Sequence, residues 1–523
     1  MAIAWFREVG GRLRLLGTAG QGALAAAALL LLAWFLYGPA LNRVFVADQI
    51  SYFAELESPE SFAAALQHYD YAASRRYWKG DDALFRPMLF VWLAIGSYLF
   101  SYHHVWWNAA TVSLHVLTSW LLFRFLMTVR PSPFAFPAAV LFLVMKPSLE
   151  LVVWNHLGGY LLACTFLLCA LRAFVRLARS PEDSSSIRIL TVYAVSFTAA
   201  VLSHEAMVAA CLIAGVVIAG LDWRRRKRLQ MRTMLAVGAP LVVFAALYAF
   251  HISNVDRILY VDRPDGSGML APGNIGGVLP RSLGALAYWF IETAFPSGLT
   301  FTTEPFLRFS KSFAFWWRRE IHVWNALLVL TSVRIFVGTL SWKHFTRMLP
   351  LAALLCGAAF AYAAIISLGR SKGEILGTAY YLYFFCLSLA ALGYALVDFD
   401  RIRGWMAPAA WTAMGGFILL HAAGAGATAR EIGRVNENAS NYINRVIRFV
   451  DEHKAEPGFS FSIQDAPEDL DPRFPLREGY PDDPAAVTQW RRVTEILFAP
   501  YYDPLHPKYV LPGRLLTKAS GNE

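Results

Sequence analysis

The chain has 523 residues, of which 57% are hydrophobic and 16% are charged, and its formal net charge is +10 at pH 7. Soluble domains are typically about 45–50% apolar and about 25% charged, so this composition excludes an ordinary soluble domain. Repeated apolar runs of about 20 residues predict membrane-spanning helices, and the short alternating segments of a membrane β-barrel are absent. The predicted fold class is an all-α polytopic membrane protein.

The first predicted span covers about residues 22–41, with Arg7, Arg12 and Arg14 before it on the cytoplasmic side. No small-residue cleavage site follows it, so we expect a retained span and not a cleaved signal peptide. It leads into an acidic loop, Asp48–Pro87, which we expect to face outward. The next apolar run, 88–100, is about 13 residues long, which is short for ~30 Å of hydrocarbon. We predict a re-entrant or surface-lying helix there.

A second span, at about 105–127, returns the chain to the cytoplasm, and basic loops then alternate with outer loops. The strongest cytoplasmic marker is the basic run Trp223–Arg228. This pattern predicts about eleven spans, with 281–295 as an amphipathic segment. The remaining spans lie at about 134–146, 158–176, 188–202, 206–221, 233–251, 321–341, 349–367, 380–397 and 405–425.

The chain is therefore predicted to contain a transmembrane region, 1–427, and an outer C-terminal tail or small domain, 428–523. The first outer loop, 42–87, is expected to contain short helices. In the tail, apolar residues at helical spacing predict a helix over 431–452, and alternation predicts a strand over 459–463. We expect an integral protein of a bacterial inner (plasma) membrane, with a cytoplasmic N-terminus and an extracytoplasmic tail.

Basic residues in short loops follow the positive-inside pattern and require no nucleic-acid partner. All the cysteines fall in apolar segments, so neither a disulfide framework nor a zinc site is predicted. They are Cys164, Cys169, Cys211, Cys356 and Cys386. No phosphate-binding loop, dinucleotide fingerprint or metal-ligand spacing is present, so no cofactor is predicted, and dependence on a divalent metal stays open.

Nearly all the unusual polar residues fall on the predicted outer side, which favours a working surface there. Asp48 follows an apolar stretch, Arg43–Ala47, by one position. Partial desolvation at the headgroup level would raise the pKa of its carboxyl and favour a general base. The alternative is a carboxylate that merely marks the interface.

Guanidinium and ammonium groups at the outer ends of helices suit a lipid phosphate. Arg86 and Arg370 each adjoin an apolar helix, and Lys372 follows closely. Arg75 and Arg76, in contrast, can equally form salt bridges to neighbouring aspartates. Residues that could contact an acceptor or support the site are His115, Glu150, His156, His204 and Glu205. For His115, the alternative is a hydrogen bond to a neighbouring helix. For Glu205, at the tip of a hairpin with His204, the alternative is a solvated turn residue, and Glu150 and His156 have the same alternative.

Four segments carry a family resemblance: Phe85-Arg86-Pro87-Met88-Leu89 after the acidic loop, Leu114-His115 in the second span, Pro147…Glu150…Trp154 in the second outer loop, and the hairpin His204-Glu205. Together they resemble the GT-C membrane glycosyltransferases, in the protein O-mannosyltransferase-like and aminoarabinose-transferase-like branch. The resemblance covers roughly residues 22–390.

The resemblance implies a sugar donor carried on a polyprenyl phosphate and used at the outer face of the membrane in cell-envelope glycosylation. It implies that Asp48 activates the acceptor for inverting attack on the anomeric carbon, while arginine or lysine stabilises the departing lipid phosphate. Acceptors in the superfamily are proteins, lipids or polysaccharides. One departure from the family pattern lies in the second outer loop, where Gly158 and Tyr160 stand at positions that in relatives often hold an acidic residue with an arginine. The role of that second acidic residue therefore stays open, and Glu150 or His156 is the candidate substitute.

Two alternatives remain from sequence. A transporter or flippase of a lipid-linked glycan would place ionisable residues or broken helices near the midplane, often in repeated halves, whereas this chain keeps its charges at one face. A non-catalytic membrane scaffold would keep the same topology, and the altered second loop is compatible with it.

Overall fold

The computed structural model describes residues 18–43, 61–68, 82–83, 85–101, 103–179, 186–227, 230–253, 257–258, 272–294, 321–369, 381–453, 455–456, 461–463 and 516–518. Asp48, Arg370 and Lys372 lie outside these ranges, as do Arg75 and Arg76.

Within the described part the chain is a bundle of helices. In chain order they are α1 (Thr18–Tyr37), α2 (Phe62–His68), α3 (Pro87–Phe100), α4 (His104–Val129), α5 (Ala135–Val144), α6 (Lys146–Val153), α7 (Gly158–Arg179), α8 (Ser186–Ser203), α9 (Met207–Arg226), α10 (Met231–Ser253), α11 (Pro272–Ala294), α12 (Ile321–Thr339), α13 (Trp342–Gly369), α14 (Leu382–Leu396) and α15 (Met406–His453). Single 3₁₀ turns lie at Gly38–Asn42, Asn155–Leu157 and Phe399–Arg401.

Among the described residues, seven helices are long and apolar enough to cross a membrane: Gly20–Asn42, His104–Val129, Gly158–Leu177, Met207–Arg224, Met231–His251, Trp342–Leu368 and Met406–Arg430. Each coincides with one of the predicted spans, and the prediction of a helical membrane protein is confirmed. The other four predicted spans correspond to shorter apolar helices or helix segments: Ala135–Val144, Ile187–Ser203, Ala326–Thr339 and Leu382–Leu396. The total of eleven crossings therefore stays a prediction.

Helix α3 is short, as its sequence predicts. Its 14 residues span about 21 Å at 1.5 Å per residue, less than the ~30 Å of a hydrocarbon core. Pro87 begins it, since proline fits the first helical turn, and Ser101 ends it with φ 45°. A Cβ at Gly96 would lie 2.2 Å from the Trp107 ring, so glycine allows α4 to fold back tightly on α3. Short α2, in the predicted outer loop, packs on α3 through Phe62 and Tyr98 (ring centroids 6.2 Å apart).

Helix α4 lies at the centre of the bundle, packed against α1, α3, α5, α6, α7 and α14. Its buried apolar residues include Leu122, Phe125 and Leu126, each with no exposed surface. A second set of contacts joins α13 to α9, α11 and α14. The predicted amphipathic segment 281–295 belongs to the longer helix α11, which buries Trp289 and exposes Leu283.

The last helix, α15, continues without a break for 48 residues, about 72 Å. The predicted division of the chain at 428 falls inside it, and that division stays a prediction. A Cβ at Gly433 would lie 2.2 Å from the Pro39 carbonyl oxygen, so glycine there lets the last helix approach the turn after α1.

In the ranges that the structure describes, four short strands form two pairs. β1 (Asp82–Ala83) pairs in parallel with β2 (Arg257–Ile258), and this pairing joins the first loop to the segment after α10. β3 (Phe461–Ile463), predicted from its alternation, pairs antiparallel with β4 (Leu516–Lys518), with Ser462 opposite Thr517.

Candidate functional site

A bidentate ion pair joins two segments that are far apart in the chain. Arg86, the residue before Pro87 at the start of α3, donates from Nε to Glu205 Oε2 at 2.9 Å and from Nη2 to Oε1 at 2.8 Å. Glu205 lies in the tight turn between α8 and α9. The Arg86 side chain is 13% exposed and that of Glu205 is 36% exposed. Paired, charge-assisted bonds of this kind are stronger and more directional than neutral hydrogen bonds.

The surroundings keep Glu205 ionised. Burial alone would raise the pKa of its carboxyl, but the charge of Arg86 and the two hydrogen bonds outweigh burial and hold the pKa well below its usual range. Arg86 and Glu205 therefore form a pair of opposite full charges at one end of the helix bundle.

His204 is buried, with 1% of its surface exposed, and it is neutral. Burial, helped by the neighbouring charge of Arg86, lowers the pKa of its imidazole to about 3. Its Nδ1 accepts a hydrogen bond from the Ala206 amide at 3.2 Å, so the proton lies on Nε2. That Nε2 is buried and has no hydrogen-bond partner within the described ranges. His204 is thus a neutral donor beside the ion pair.

Tyr160, on the first turn of α7, joins the ion pair to His204. The Arg86 guanidinium carbon lies 5.5 Å from the Tyr160 ring centroid, within cation–π range. The same ring lies 4.4 Å from the His204 imidazole. We refer to Arg86, Tyr160, His204 and Glu205 as the Arg86–Glu205 cluster.

Two glycines at the start of α7 allow this approach. A Cβ on Gly159 would lie 3.0 Å from the Ser203 carbonyl oxygen, and a Cβ on Gly158 would lie 2.5 Å from Trp92 Nε1. Gly159 therefore permits the close contact between α7 and the end of α8, and the Trp92 ring of α3 leaves no room for a larger residue at Gly158.

An aromatic wall borders the cluster on the side of α10. Phe85, next to Arg86, packs edge-on against Phe244 and Tyr248 (centroids 5.5 and 5.4 Å away), and its ring lies 5.1 Å from His251. Tyr362 of α13 and Tyr381 at the start of α14 approach from the other side, 6.2 Å from the His204 ring and 6.5 Å from the Tyr160 ring.

The segment that leads into the Asp48 loop is anchored by hydrogen bonds to α4. Asn108 of α4 donates from Nδ2 to the carbonyl oxygens of Leu41 and Arg43, both at 2.8 Å, and its Oδ1 accepts from Asn155 Nδ2 at 3.1 Å. The buried Arg43 guanidinium lies 5.7 Å from the Trp154 ring centroid. The segment 154–160 therefore contacts both the start of this loop and, through Tyr160, the Arg86–Glu205 cluster.

His115 does not join that cluster. Its Nε2 donates to the Leu143 carbonyl oxygen at 3.0 Å, which leaves Nδ1 to accept from the Tyr383 hydroxyl at 2.7 Å. The Tyr37 hydroxyl donates to the same carbonyl. His115 thus ties α1, α5 and α14 to α4, which is the role that its alternative interpretation predicts.

The remaining predicted residues are located only in part. The backbone of Glu150 lies in α6, and that of His156 lies in the 3₁₀ turn that follows, both in the connection between α5 and α7. Asp48, Arg370 and Lys372 lie outside the described residues. The sequence analysis did not select Arg43 as a site residue and noted Tyr160 only as a departure from the family pattern. The signal available for both was a cationic or aromatic residue at the end of a helix.

Within the described part of the chain, no three His, Cys, Asp or Glu side chains come close enough to hold a metal ion. The described cluster offers an ion pair, a neutral imidazole donor and aromatic faces, a set that suits a phosphorylated or sugar ligand.

No family model matches the chain, and no curated protein matches it. Among solved structures, the chain is similar to that of ArnT from Cupriavidus metallidurans bound to undecaprenyl phosphate, with 15% sequence identity, a TM-score of 0.43, and coverage of 88% of this chain and 85% of that one. At this level of similarity, neither the activity nor the ligand of that protein transfers to this chain.

Proposed function

We propose that this protein is a glycosyltransferase that moves a sugar from a polyprenyl-phosphate carrier to an acceptor at the outer face of a bacterial inner membrane. The observation that carries the proposal is the contact between Arg86 and Glu205, 119 positions apart. Each belongs to a different segment of the family resemblance drawn from the sequence, and the fold brings the two segments together in one ion pair.

The ion pair suits the chemistry of the donor. When the bond between the anomeric carbon and the carrier phosphate breaks, the phosphate gains negative charge. A preoriented cation in a poorly hydrated site stabilises that charge without reorganising. Glu205 engages Nε and Nη2 of Arg86 and so fixes the plane of the guanidinium. In this proposal Arg370 and Lys372 contribute further positive charge to the carrier phosphate.

Asp48 acts as the general base in the proposed reaction. It accepts the proton of the acceptor hydroxyl while the acceptor oxygen attacks the anomeric carbon, and the carrier phosphate leaves with the electron pair of the broken bond. Attack from the face opposite the leaving group inverts the anomeric configuration. His204, neutral and with Nε2–H as a donor, is suited to placing the acceptor.

The distribution of basic residues supports the assignment of the site to the outer face. Positively charged residues collect at the ends of α4 and α14 and at the start of α13, which form the end of the bundle away from Arg86. Cytoplasmic loops carry the excess of lysine and arginine in inner-membrane proteins. Basic residues at that end include Arg130, Lys343, Arg347, Arg401 and Arg403.

The proposal is tested by turnover of a polyprenyl-phosphate-linked sugar by purified full-length protein. We expect Asp48→Asn and Glu205→Gln to release free polyprenyl phosphate at least 100-fold more slowly than wild type, since loss of a general base or of a positioned charge typically costs about 10²–10⁴. The control is Asp400→Asn, which removes an exposed carboxylate (80% exposed) at the opposite end and should turn over normally.

Unchanged turnover in a folded Asp48→Asn protein would refute the base assignment. Retention of the anomeric configuration in the product would refute direct inversion. If the wild type moves labelled lipid-linked sugar across a vesicle bilayer without releasing polyprenyl phosphate, the transporter alternative replaces the enzyme.

A further inference from the structure

A cavity of about 420 Å³ opens at the end of the bundle opposite the Arg86–Glu205 cluster. It lies between the end of α4, the start of α13 and the segment after α14, and its size is within the about 300–1,000 Å³ of small-molecule sites. Charged residues line it from three directions: Arg130, Lys343, Arg347, Asp398 and Asp400.

The walls of the cavity are held by specific contacts. The Tyr394 hydroxyl donates to the Arg130 carbonyl oxygen at 2.6 Å, and His344 Nε2 donates to the Ala395 carbonyl oxygen at 2.9 Å. Arg130 binds Asp398 at 3.2 Å and also binds Asp400. These contacts join α4 and α13 to the end of α14, so the cavity is part of the packed structure.

Positive charge in the cavity is not fully compensated. Both aspartates are engaged by Arg130, and Arg401 Nε lies 3.6 Å from Asp398. Lys343 and Arg347 lie one helical turn apart on the same face of α13. Within the described residues, neither of these two side chains makes a hydrogen bond or an ion pair. The positive end of the α13 dipole adds to their field.

The exposed residues beside this charge indicate a position at the level of lipid headgroups. Trp342, next to Lys343, is 79% exposed, Leu340 is 43% exposed, and Leu349 is 48% exposed. Exposed tryptophan beside lysine and arginine is typical of the membrane–water boundary, and basic pockets between helices on the cytoplasmic side bind anionic headgroups.

We propose that this cavity binds the phosphodiester headgroup of an anionic membrane phospholipid, with Lys343 and Arg347 contacting the phosphate. The apolar rim favours a lipid over free phosphate because it accommodates the acyl chains next to the headgroup. The site is independent of the proposed glycosyl transfer, since it involves none of the residues assigned to that reaction.

The test uses the full-length protein in a zwitterionic detergent and measures binding of phosphatidylglycerol by native mass spectrometry and by thermal shift. We expect Lys343→Gln/Arg347→Gln to weaken phosphatidylglycerol binding about 25-fold, which is about 2 kcal/mol or about one per basic residue. The matched control is Arg188→Gln/Arg224→Gln, which removes two exposed cations at the same end of the bundle but outside the cavity; we expect a change of less than about threefold.

Equal weakening in both double variants would overturn the site in favour of diffuse surface charge. Thermal protection by inorganic phosphate equal to that by phosphatidylglycerol at the same phosphate concentration would overturn the lipid as ligand. Equal binding of phosphatidylcholine and phosphatidylglycerol would overturn recognition of the anionic headgroup. Since both substituted residues are exposed, we expect all variants to fold, and unchanged melting temperatures without added lipid will verify this.

Discussion

The Arg86–Glu205 ion pair provides the sharpest test of the structure, because its contribution to stability can be estimated from its geometry. We consider Glu205→Gln, which keeps the shape of the side chain but removes its charge. Arg86, 13% exposed, then keeps its charge in a largely desolvated position, and its carboxylate partner is replaced by a neutral amide. Glutamine can replace one of the two hydrogen bonds but not the attraction between full charges.

The expected magnitude lies between two limits. Removing one partner of a fully buried ion pair costs about 3–5 kcal/mol, whereas an exposed pair contributes about 0–1 kcal/mol. The Glu205 side chain is 36% exposed, so water screens part of the interaction. We therefore expect Glu205→Gln to lower the free energy of unfolding by about 2 kcal/mol.

A double-mutant cycle isolates the pair from other effects of each substitution. Arg86→Gln, Glu205→Gln and the double variant are compared with wild type by denaturant titration in detergent. Because the two residues bind each other directly, we expect a coupling free energy of about 1–2 kcal/mol, with the double variant less destabilised than the sum of the singles. The control, Asp400→Asn, removes a mostly exposed partner of Arg130 and should change stability much less.

A coupling free energy below about 0.5 kcal/mol, the level at which independent sites add, would refute the reasoning. Arg86 and Glu205 would then not be paired in solution, and the contact that supports the proposed function would be lost. Strong coupling with unchanged turnover would instead leave the ion pair intact and refute its part in the reaction.

Three further outcomes are expected. Between pH 7.5 and pH 5, wild type should lose about 2 kcal/mol more of its free energy of unfolding than His204→Gln. The pKa of His204 is about 3 in the folded protein but near 6.5 in the unfolded chain, so only the unfolded chain gains a proton in this range. His115→Leu should destabilise the protein by about 1–3 kcal/mol, since it removes the buried hydrogen bond between the Tyr383 hydroxyl and the imidazole. Gly159→Ala should cost about 1–3 kcal/mol, because the added Cβ would lie 3.0 Å from the Ser203 carbonyl oxygen.

The substitutions at His115 and Gly159 each have a matched control. Ser113→Ala removes an exposed hydroxyl from the same helix as His115, and Gly284→Ala adds a Cβ that meets nothing within 4 Å; both should leave stability nearly unchanged. Parallel pH profiles for wild type and His204→Gln would contradict the assignment of a neutral buried imidazole. Equal melting temperatures for Gly159→Ala and Gly284→Ala would contradict the close contact between α7 and α8.

The sequence alone determined the class of fold and the places of the long helices. Seven predicted spans coincide with helices long enough to cross a membrane. A helix that crosses a bilayer needs about 20 consecutive apolar residues, and such a run can be recognised from the local sequence alone. The short α3 follows in the same way, since its polar flanks lie next to its apolar run. The continuity of α15 through residue 428 was missed, because the pattern shows a change of composition there but not that the helix persists.

Only the tertiary structure decided which polar residues meet. His115 and Glu205 were both candidates in the sequence, yet one is hydrogen-bonded in the core between helices and the other pairs with Arg86. Each partner lies on another element, 268 positions away for Tyr383 and 119 for Arg86, and the spacing of residues within a single helix carries no information about such pairs. Apolar length is a local property of the chain, whereas the satisfaction of a polar group depends on how separate helices pack.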